Sequence, residues 1–479
     1  MLKETHNTSL PQIICDNLRQ CQKDGYQLSK TRNKYGFFWD RGVGKTILEL
    51  CIASNQIQYG KVLIITKEDL IYDNILQELD RLTKIGFPEF RFSVLLGTRK
   101  IISIKKKIFE SHHIPDNYKP QIYLTSFSVF RDLWEEVCIN IKTLIVDESG
   151  LLRNHWSKLS LAFRHAQDKF NFENIYLLSG LPAPNSEPEY FTQLYLIGQN
   201  LFGKSFEKYK EENFRIAKQN EPNAGKYVLK NPDEFKEKLK QVSQYISRHD
   251  IFKNIPEPIL LKKYFTLTDE QRIYYDIVIT QTKKYIREHS GFTIEILIPY
   301  IVKQIRWLQV ICGLYVAEDG TRIRLKTNLY DTIWDSIEDT YEPILFWCNF
   351  DWEQANIVNY LVRKGKNVGF VHGNQSKEDQ RIARQAFKDG KVQYLVLKPR
   401  SNAHGHNFQN VCSFAVYSTL TYSLDDKEQS FDRIFRPPYR KACTELCLIA
   451  KDTIQEPIYN AIQNKKNSAL EVLNYLKTN

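Results

Sequence analysis

No stretch of this 479-residue chain strings together enough apolar residues to span a bilayer, and Met1 to Leu10 carry no signal-peptide core. A membrane-embedded or exported protein is therefore not expected. Cysteine occurs nine times but never as a C-x-x-C pair, and Cys443 and Cys447 stand four apart with no second pair nearby. That spacing argues against a zinc site or a disulfide framework and leaves reduced thiols of an intracellular protein. Low-complexity tracts and fixed-period repeats are also missing. Acidic residues are in deficit, 56 against 67 Lys and Arg, for a formal net charge of +11. Spread over this length, the excess is consistent with a polyanionic partner and equally with general solubility.

What the chain has is length and apolar material. At 479 residues, 42% hydrophobic and 13% aromatic, it exceeds what one core holds, so two domains are expected. The organising stretch is Trp39-Asp40-Arg41-Gly42-Val43-Gly44-Lys45-Thr46. An apolar run from Tyr35 feeds it and an amphipathic stretch, Ile47 to Ile57, follows, which predicts strand, glycine turn and helix start. Glycines at 42 and 44 let backbone N–H groups around Val43 curl about phosphate oxygens at a helix N-terminus. Lys45 is placed to reach the outer phosphates and Thr46 to hold Mg²⁺. Trp39 stands where the strict phosphate-loop pattern has a small residue.

Short apolar runs recur through the first half, at Phe37–Trp39, Val62–Thr66, Phe92–Leu96, Ile122–Thr125, Leu144–Val146 and Ile175–Ser179. Alternating with helical patterns, they predict βαβ units and a mainly parallel sheet, with ligands bound beyond the carboxyl ends of the strands. There stand Asp147 and Glu148. Adjacent carboxylates directly after a buried strand repel each other, which packing does not explain. Beside a phosphate loop, Asp147 orients the Mg²⁺ shell and Glu148 positions the attacking water.

The order of Gly42-Val43-Gly44-Lys45-Thr46, Leu63–Thr66, Leu124–Phe127, Val146-Asp147-Glu148 and Leu178-Ser179-Gly180-Leu181-Pro182 resembles a superfamily 2 helicase core. Leu178 to Asn185 is similar to the "LTGTPxxN" segment of the Swi/Snf-like group of DNA-dependent ATPases. Leu10-Pro11-Gln12 resembles the entry motif whose glutamine reads adenine; a plain loop glutamine is the alternative. Two departures stand out: the "DExH" box reads Asp147-Glu148-Ser149-Gly150, without its histidine, and "TGTP" has become Ser179-Gly180-Leu181-Pro182. The carboxylates survive both changes, so the departures bear on the expected coupling to nucleic acid more than on the expected hydrolysis.

From about Gly198 to Arg324 the pattern turns helical and charged, as in Phe206–Phe214 and Phe235–Tyr245. Within it Tyr264 to Tyr275 resembles the group's "LTxxQxxxY" segment and Gln304 to Cys312 its "LRQIC" helix. A second set of strand-like runs follows: Ile344–Trp347, Val368–Val371, Tyr394–Leu397, Phe414–Tyr417 and Leu446–Ile449. His372-Gly373 matches the second-lobe "HG" pattern. Ser401 to Gln409 resembles the "AGGxGLNLQ" loop, with Gly405, Asn407 and Gln409 on matching positions. His404 and His406 lack further metal ligands at suitable spacing. Glu428 to Arg436 resembles "EQxxGRxxRxGQ", placing Gln429, Arg433 and Arg436; Asp432 replaces its glycine. Two arginines three apart are expected on one helical face.

The resemblance, which covers about residues 10 to 470, implies an α/β chain of two tandem RecA-like domains with helical insertions at the junction. The expected division is residues 1–225, 226–325 and 326–479. It implies Mg·ATP hydrolysis with Asp147, Glu148, Lys45, Arg433 and Arg436 catalytic, and with Gln12 and Gln429 on the nucleotide. Ser126, Arg131, Gly405, Asn407 and Gln409 would then contact the backbone of DNA, independently of its sequence. The expectation is a monomeric, cytoplasmic duplex translocase of a bacterium or virus, acting in replication, recombination or repair. A strand-separating or branch-migrating helicase and a nucleic-acid-binding scaffold with a decayed ATPase are the alternatives.

Overall fold

The central apolar runs become strands because they are short, rich in β-branched or aromatic residues, and buried on both faces. The computed structural model describes residues 10–110, 115, 118–183, 186–218, 227–288, 305–399, 407–420, 423–437 and 441–464. It divides into two compact units, Met1–Lys253 and Asn254–Asn479.

The first unit holds β1 (Lys34–Trp39), β2 (Lys61–Thr66), β3 (Phe92–Leu95), β4 (Ile122–Ser126), β5 (Ile141–Asp147), β6 (Asn174–Leu178) and β7 (Ser243–Ile246). They form one parallel sheet in the order β3-β4-β2-β5-β6-β1-β7. Alternation along each strand splits the interior in two. Phe38, Leu63, Ile65, Leu144 and Val146 enter one core, and Phe37, Trp39, Val62, Ile64 and Ile145 the other. The helices used below are α1 (Gln20–Thr31), α2 (Lys45–Gln56), α3 (Phe127–Val137), α4 (Lys158–Phe170), α5 (Phe191–Ile197) and α6 (Pro232–Val242).

One expectation fails here: Phe235–Tyr245 is not all helix. The helix stops at Val242, and Ser243–Ile246 runs parallel to β1 with only its end residues buried. The residue types permit either state, and the free edge of β1 decides in favour of the strand.

The second unit holds β8 (Ile259–Phe265), β9 (Ile344–Trp347), β10 (Val368–Phe370), β11 (Tyr394–Leu397), β12 (Phe414–Tyr417) and β13 (Thr444–Ala450). These are parallel throughout, in the order β8-β13-β12-β9-β11-β10. Edge strand β8 is exposed along its length except at Phe265, and it lies where only helix was expected. Helices α7 (Asp269–Glu288), α8 (Asp351–Arg363), α9 (Lys377–Lys388) and α10 (Leu424–Phe431) belong to this unit. Residues 226–325 are thus shared: α6 and β7 lie in the first unit, β8 and α7 in the second. Among the described residues no helix is long and apolar enough to cross a membrane.

Candidate active site

Because the first sheet is wholly parallel, the carboxyl ends of β2, β5, β6 and β1 lie side by side along one edge. The phosphate loop leaves β1 there. Gly42 and Gly44 have φ of 83° and 102°, and Gly44 is the N-cap of α2. Left-handed backbone at these two positions is open to glycine at little cost. Val43 is fully buried and anchors the loop in the core. Trp39, also fully buried, fits because α1 offers it a glycine: a Cβ on Gly25 would stand 2.9 Å from the indole.

Lys45 is buried, and its Nζ donates to the carbonyls of Trp39 at 2.8 Å and Asp40 at 3.3 Å. Asp40 is itself held from β7 and the residues just after it, accepting from Tyr245 Oη at 3.2 Å and from the Arg248 amide at 3.0 Å. The strand missed in the sequence therefore positions the loop. Thr46 Oγ1 accepts from Asn74 Nδ2 at 3.1 Å.

Two residues that sequence reasoning passed over grip the loop from the start of α1. Arg19 Nη1 donates to the Val43 carbonyl at 2.9 Å, and Gln22 Nε2 to that of Gly44 at 3.0 Å. The Arg19 amide in turn donates to Gln22 Oε1 at 2.9 Å. Gln12 is not brought here; it sits exposed in a short helix, Gln12–Asn17, and donates to Asp16 at 2.7 Å. The available signal was a polar pair at the head of the helix that precedes β1.

Asp147 ends β5, 5% exposed, where Oδ2 accepts from Thr66 Oγ1 at 3.2 Å and Oδ1 from the Glu148 amide at 3.0 Å. Burial, followed by the neighbouring Glu148 charge, raises its pKa to about 6, while the Lys45 ammonium pulls the other way. Glu148 has φ 58° and ψ 44°, a left-handed conformation uncommon outside glycine. A third carboxyl was not foreseen. Glu49, one turn along α2 from Lys45, is fully buried, and neither oxygen has a hydrogen-bond partner among the described residues. Burial, then the Asp147 charge, pushes its pKa well above the carboxylate range.

Mg²⁺ takes hard oxygen ligands, usually one or two carboxylates with waters and substrate phosphates. The Thr46 hydroxyl and the buried Asp147 carboxylate are such a donor set, with the Glu49 carboxyl buried beside it. The residues fit the ion.

Between β5 and β1, the turn after β6 touches both sides. A Cβ on Gly180 would lie 3.0 Å from Arg41 Cγ and 3.5 Å from Lys45 Nζ, and one on Gly150 only 2.4 Å from the Leu181 carbonyl oxygen. The two departures from the family pattern, Gly150 and Leu181, are therefore one contact. A histidine at 150 would displace the turn.

Ser126 is buried as the N-cap of α3, accepting from the Val129 amide at 3.3 Å. Arg131 is exposed and forks onto Asp132 with two bonds of 2.7 Å. In the second unit Asn407 Oδ1 accepts from Arg436 Nη1 at 2.6 Å, and the Phe408 amide donates to the Arg433 carbonyl at 2.8 Å. Gln429 and Arg433 are buried, and Gln409 is half-buried. Gly405 lies outside the described residues, with His404 and His406. The two arginines do not share a helical face: α10 ends at Phe431, a turn carries Arg433, and Arg436 lies on irregular backbone beyond it. Arg436 precedes Pro437, whose ring disfavours helical backbone in the residue before it.

Residues 27–312 match the family model of the SNF2-related domain. An uncharacterized ATP-dependent helicase of Mycoplasma genitalium is 22% identical over 498 aligned residues, covering 98% of this chain and 44% of that protein. A putative ATP-dependent helicase/translocase of Bacillus subtilis is 20% identical, covering 89% of this chain and 45% of that protein. The chain spans just under half the length of these relatives. Among solved structures, the Pyrococcus furiosus Hef helicase domain is 12% identical, covers 95% of this chain and 100% of that one, and superposes with a TM-score of 0.55, a likeness of fold. With two parallel α/β units of RecA type and a family match across more than half its length, the chain belongs to the SNF2-related family, the Swi/Snf-like group of superfamily 2.

Proposed function

We propose that the chain hydrolyses Mg·ATP to translocate along duplex DNA without needing to separate its strands. The observation that carries this is the carboxyl edge of the first sheet. There the glycine loop with Lys45 and the acid pair Asp147-Glu148 flank a single intervening strand, β6. The backbone amides of residues 42–46 and the head of α2 would bind the phosphates. Lys45, now on two loop carbonyls, would exchange them for the outer phosphates. Thr46 and Asp147 would hold Mg²⁺, which when bound offsets charge on the β- and γ-oxygens. Glu148 would orient a water for attack and take its proton. Arg433 and Arg436 of the second unit are the candidate cations for the transition state, because a guanidinium stays charged and offers a planar fork.

Motion along DNA would use backbone contacts and so be independent of sequence, with Arg131, Asn407 and Gln409 as candidate contacts. Ser126, buried on its helix, would act by holding α3 in place. Both relatives named above are bacterial proteins, which favours replication, recombination or repair over chromatin remodelling. A triplex-displacement assay tests the reading. ATP-dependent release of a third strand from intact duplex supports translocation, with binding that weakens steeply as salt rises. Separation of a forked duplex without triplex release would assign a helicase instead. Neither activity, with no ATP turnover, would leave a nucleic-acid-binding scaffold.

A further inference from the structure

Helix α5 is buried along its whole length, and its sequence, Phe-Thr-Gln-Leu-Tyr-Leu-Ile, places one amide side chain among large apolar ones. A buried amide costs stability unless its hydrogen bonds are made. Gln193, with no exposed surface, makes them in two directions: Oε1 accepts from Ser149 Oγ at 2.9 Å and Nε2 donates to the Pro182 carbonyl at 2.8 Å. Ser149 follows Glu148, and Pro182 closes the turn that abuts Lys45. One side chain thus spans the acid pair and the turn after β6.

Glu148 explains why such a span is needed. Left-handed backbone at a non-glycine residue is strained and persists where surrounding contacts over-determine it. Among the described residues, contacts that do so include the Glu148 amide on Asp147, the Leu151 amide on the Glu148 carbonyl at 3.1 Å, the close packing of Gly150 under Leu181, and the Ser149–Gln193 bond. Of these, only the last also reaches the turn through a second hydrogen bond. We infer that Gln193 is a positioning residue: its amide, held between Ser149 and the Pro182 carbonyl, fixes Glu148 in its left-handed conformation and sets the distance between the acid pair and the phosphate loop. In a chain without the histidine of the family's box, this buried bridge ties the segment after the acid pair to the turn that abuts Lys45.

The inference rests on the ATPase reading for its catalytic consequence, and its structural claim is tested separately. Gln193→Leu removes both bonds at similar volume, and Ser149→Ala removes one with little change in packing. Turnover is expected to fall about 10- to 100-fold in Gln193→Leu, the size of effect that ångström-scale misplacement produces. Affinity for a fluorescent ADP analogue should stay within about twofold, because Lys45 and the glycine loop are untouched. The double variant should lose no more than Gln193→Leu alone, since the bonds act as one unit. In the nucleotide-free protein, amide exchange across Glu148–Leu151 should quicken in both single variants. Unchanged exchange in both, or wild-type turnover in Gln193→Leu where the wild type hydrolyses ATP, overturns the inference. A wild type with no turnover defeats the ATPase reading instead, and the exchange result still decides whether Gln193 holds Glu148.

Discussion

Arg436 Nη1 donates to Asn407 Oδ1 at 2.6 Å, joining two segments of the second unit that lie 29 residues apart in the chain. One belongs to the loop expected on nucleic acid, the other to the arginine motif expected on nucleotide chemistry. If the two motifs act as expected, this bond couples them. Asn407→Ala should lower DNA-stimulated turnover about tenfold, the equivalent of one charge-assisted hydrogen bond, while nucleotide affinity is unchanged. Parallel measurement of turnover with and without duplex DNA checks this; equal losses under both conditions would contradict it.

Arg19 and Gln22, rather than Gln12, hold the carbonyls of the phosphate loop. Gln22→Ala should weaken binding of a fluorescent ADP analogue by about tenfold, the value of roughly one buried hydrogen bond. Gln12→Ala should leave that affinity unchanged. A titration of both variants decides the matter.

Much of this was legible in the sequence, and the failures have physical causes. In a parallel sheet each core strand is a continuous apolar run, so Val62–Thr66 or Leu144–Val146 declares itself. Edge strands need not: β7 buries only Ser243 and Ile246, and β8 only Phe265. The acid pair and the glycine loop announced themselves because carboxylates and glycines in those settings have no packing explanation. Gln193 and Gln22 did not, because a glutamine in a helix carries no signal until the fold reveals what it reaches. Glu49 was hidden in an amphipathic stretch, and the proline after Arg436 outweighed the helical spacing of the two arginines.

Gly150 packs so closely under Leu181 that restoring a side chain is harmful. Gly150→Ala should destabilise the protein by about 1–3 kcal/mol, the usual cost of overpacking a tight site, and Gly150→His by at least as much. Urea unfolding monitored by circular dichroism checks this; a stable Gly150→His variant with enhanced turnover would contradict it.

Glu49 and Asp147 hold their protons in the native state at pH values where the unfolded chain has lost them. The stability this contributes is fully present below the ordinary carboxylate range. It is lost as pH rises through the raised native values, about 6 for Asp147 and well above the usual range for Glu49. Each tenfold difference in proton affinity corresponds to about 1.4 kcal/mol. Glu49→Gln should therefore raise the melting temperature at pH 8 by a few degrees and match the wild type near pH 4. Thermal melts of both proteins across pH 4–8 measure the gap; a gap that closes with rising pH would contradict the assignment.

The most direct test of the central claim is steady-state ATP hydrolysis without nucleic acid, then with single-stranded DNA, duplex DNA and RNA, with Glu148→Gln as control. Strong stimulation by duplex DNA, abolished in Glu148→Gln, is the predicted result. Turnover no greater than that of Glu148→Gln under every condition would contradict it.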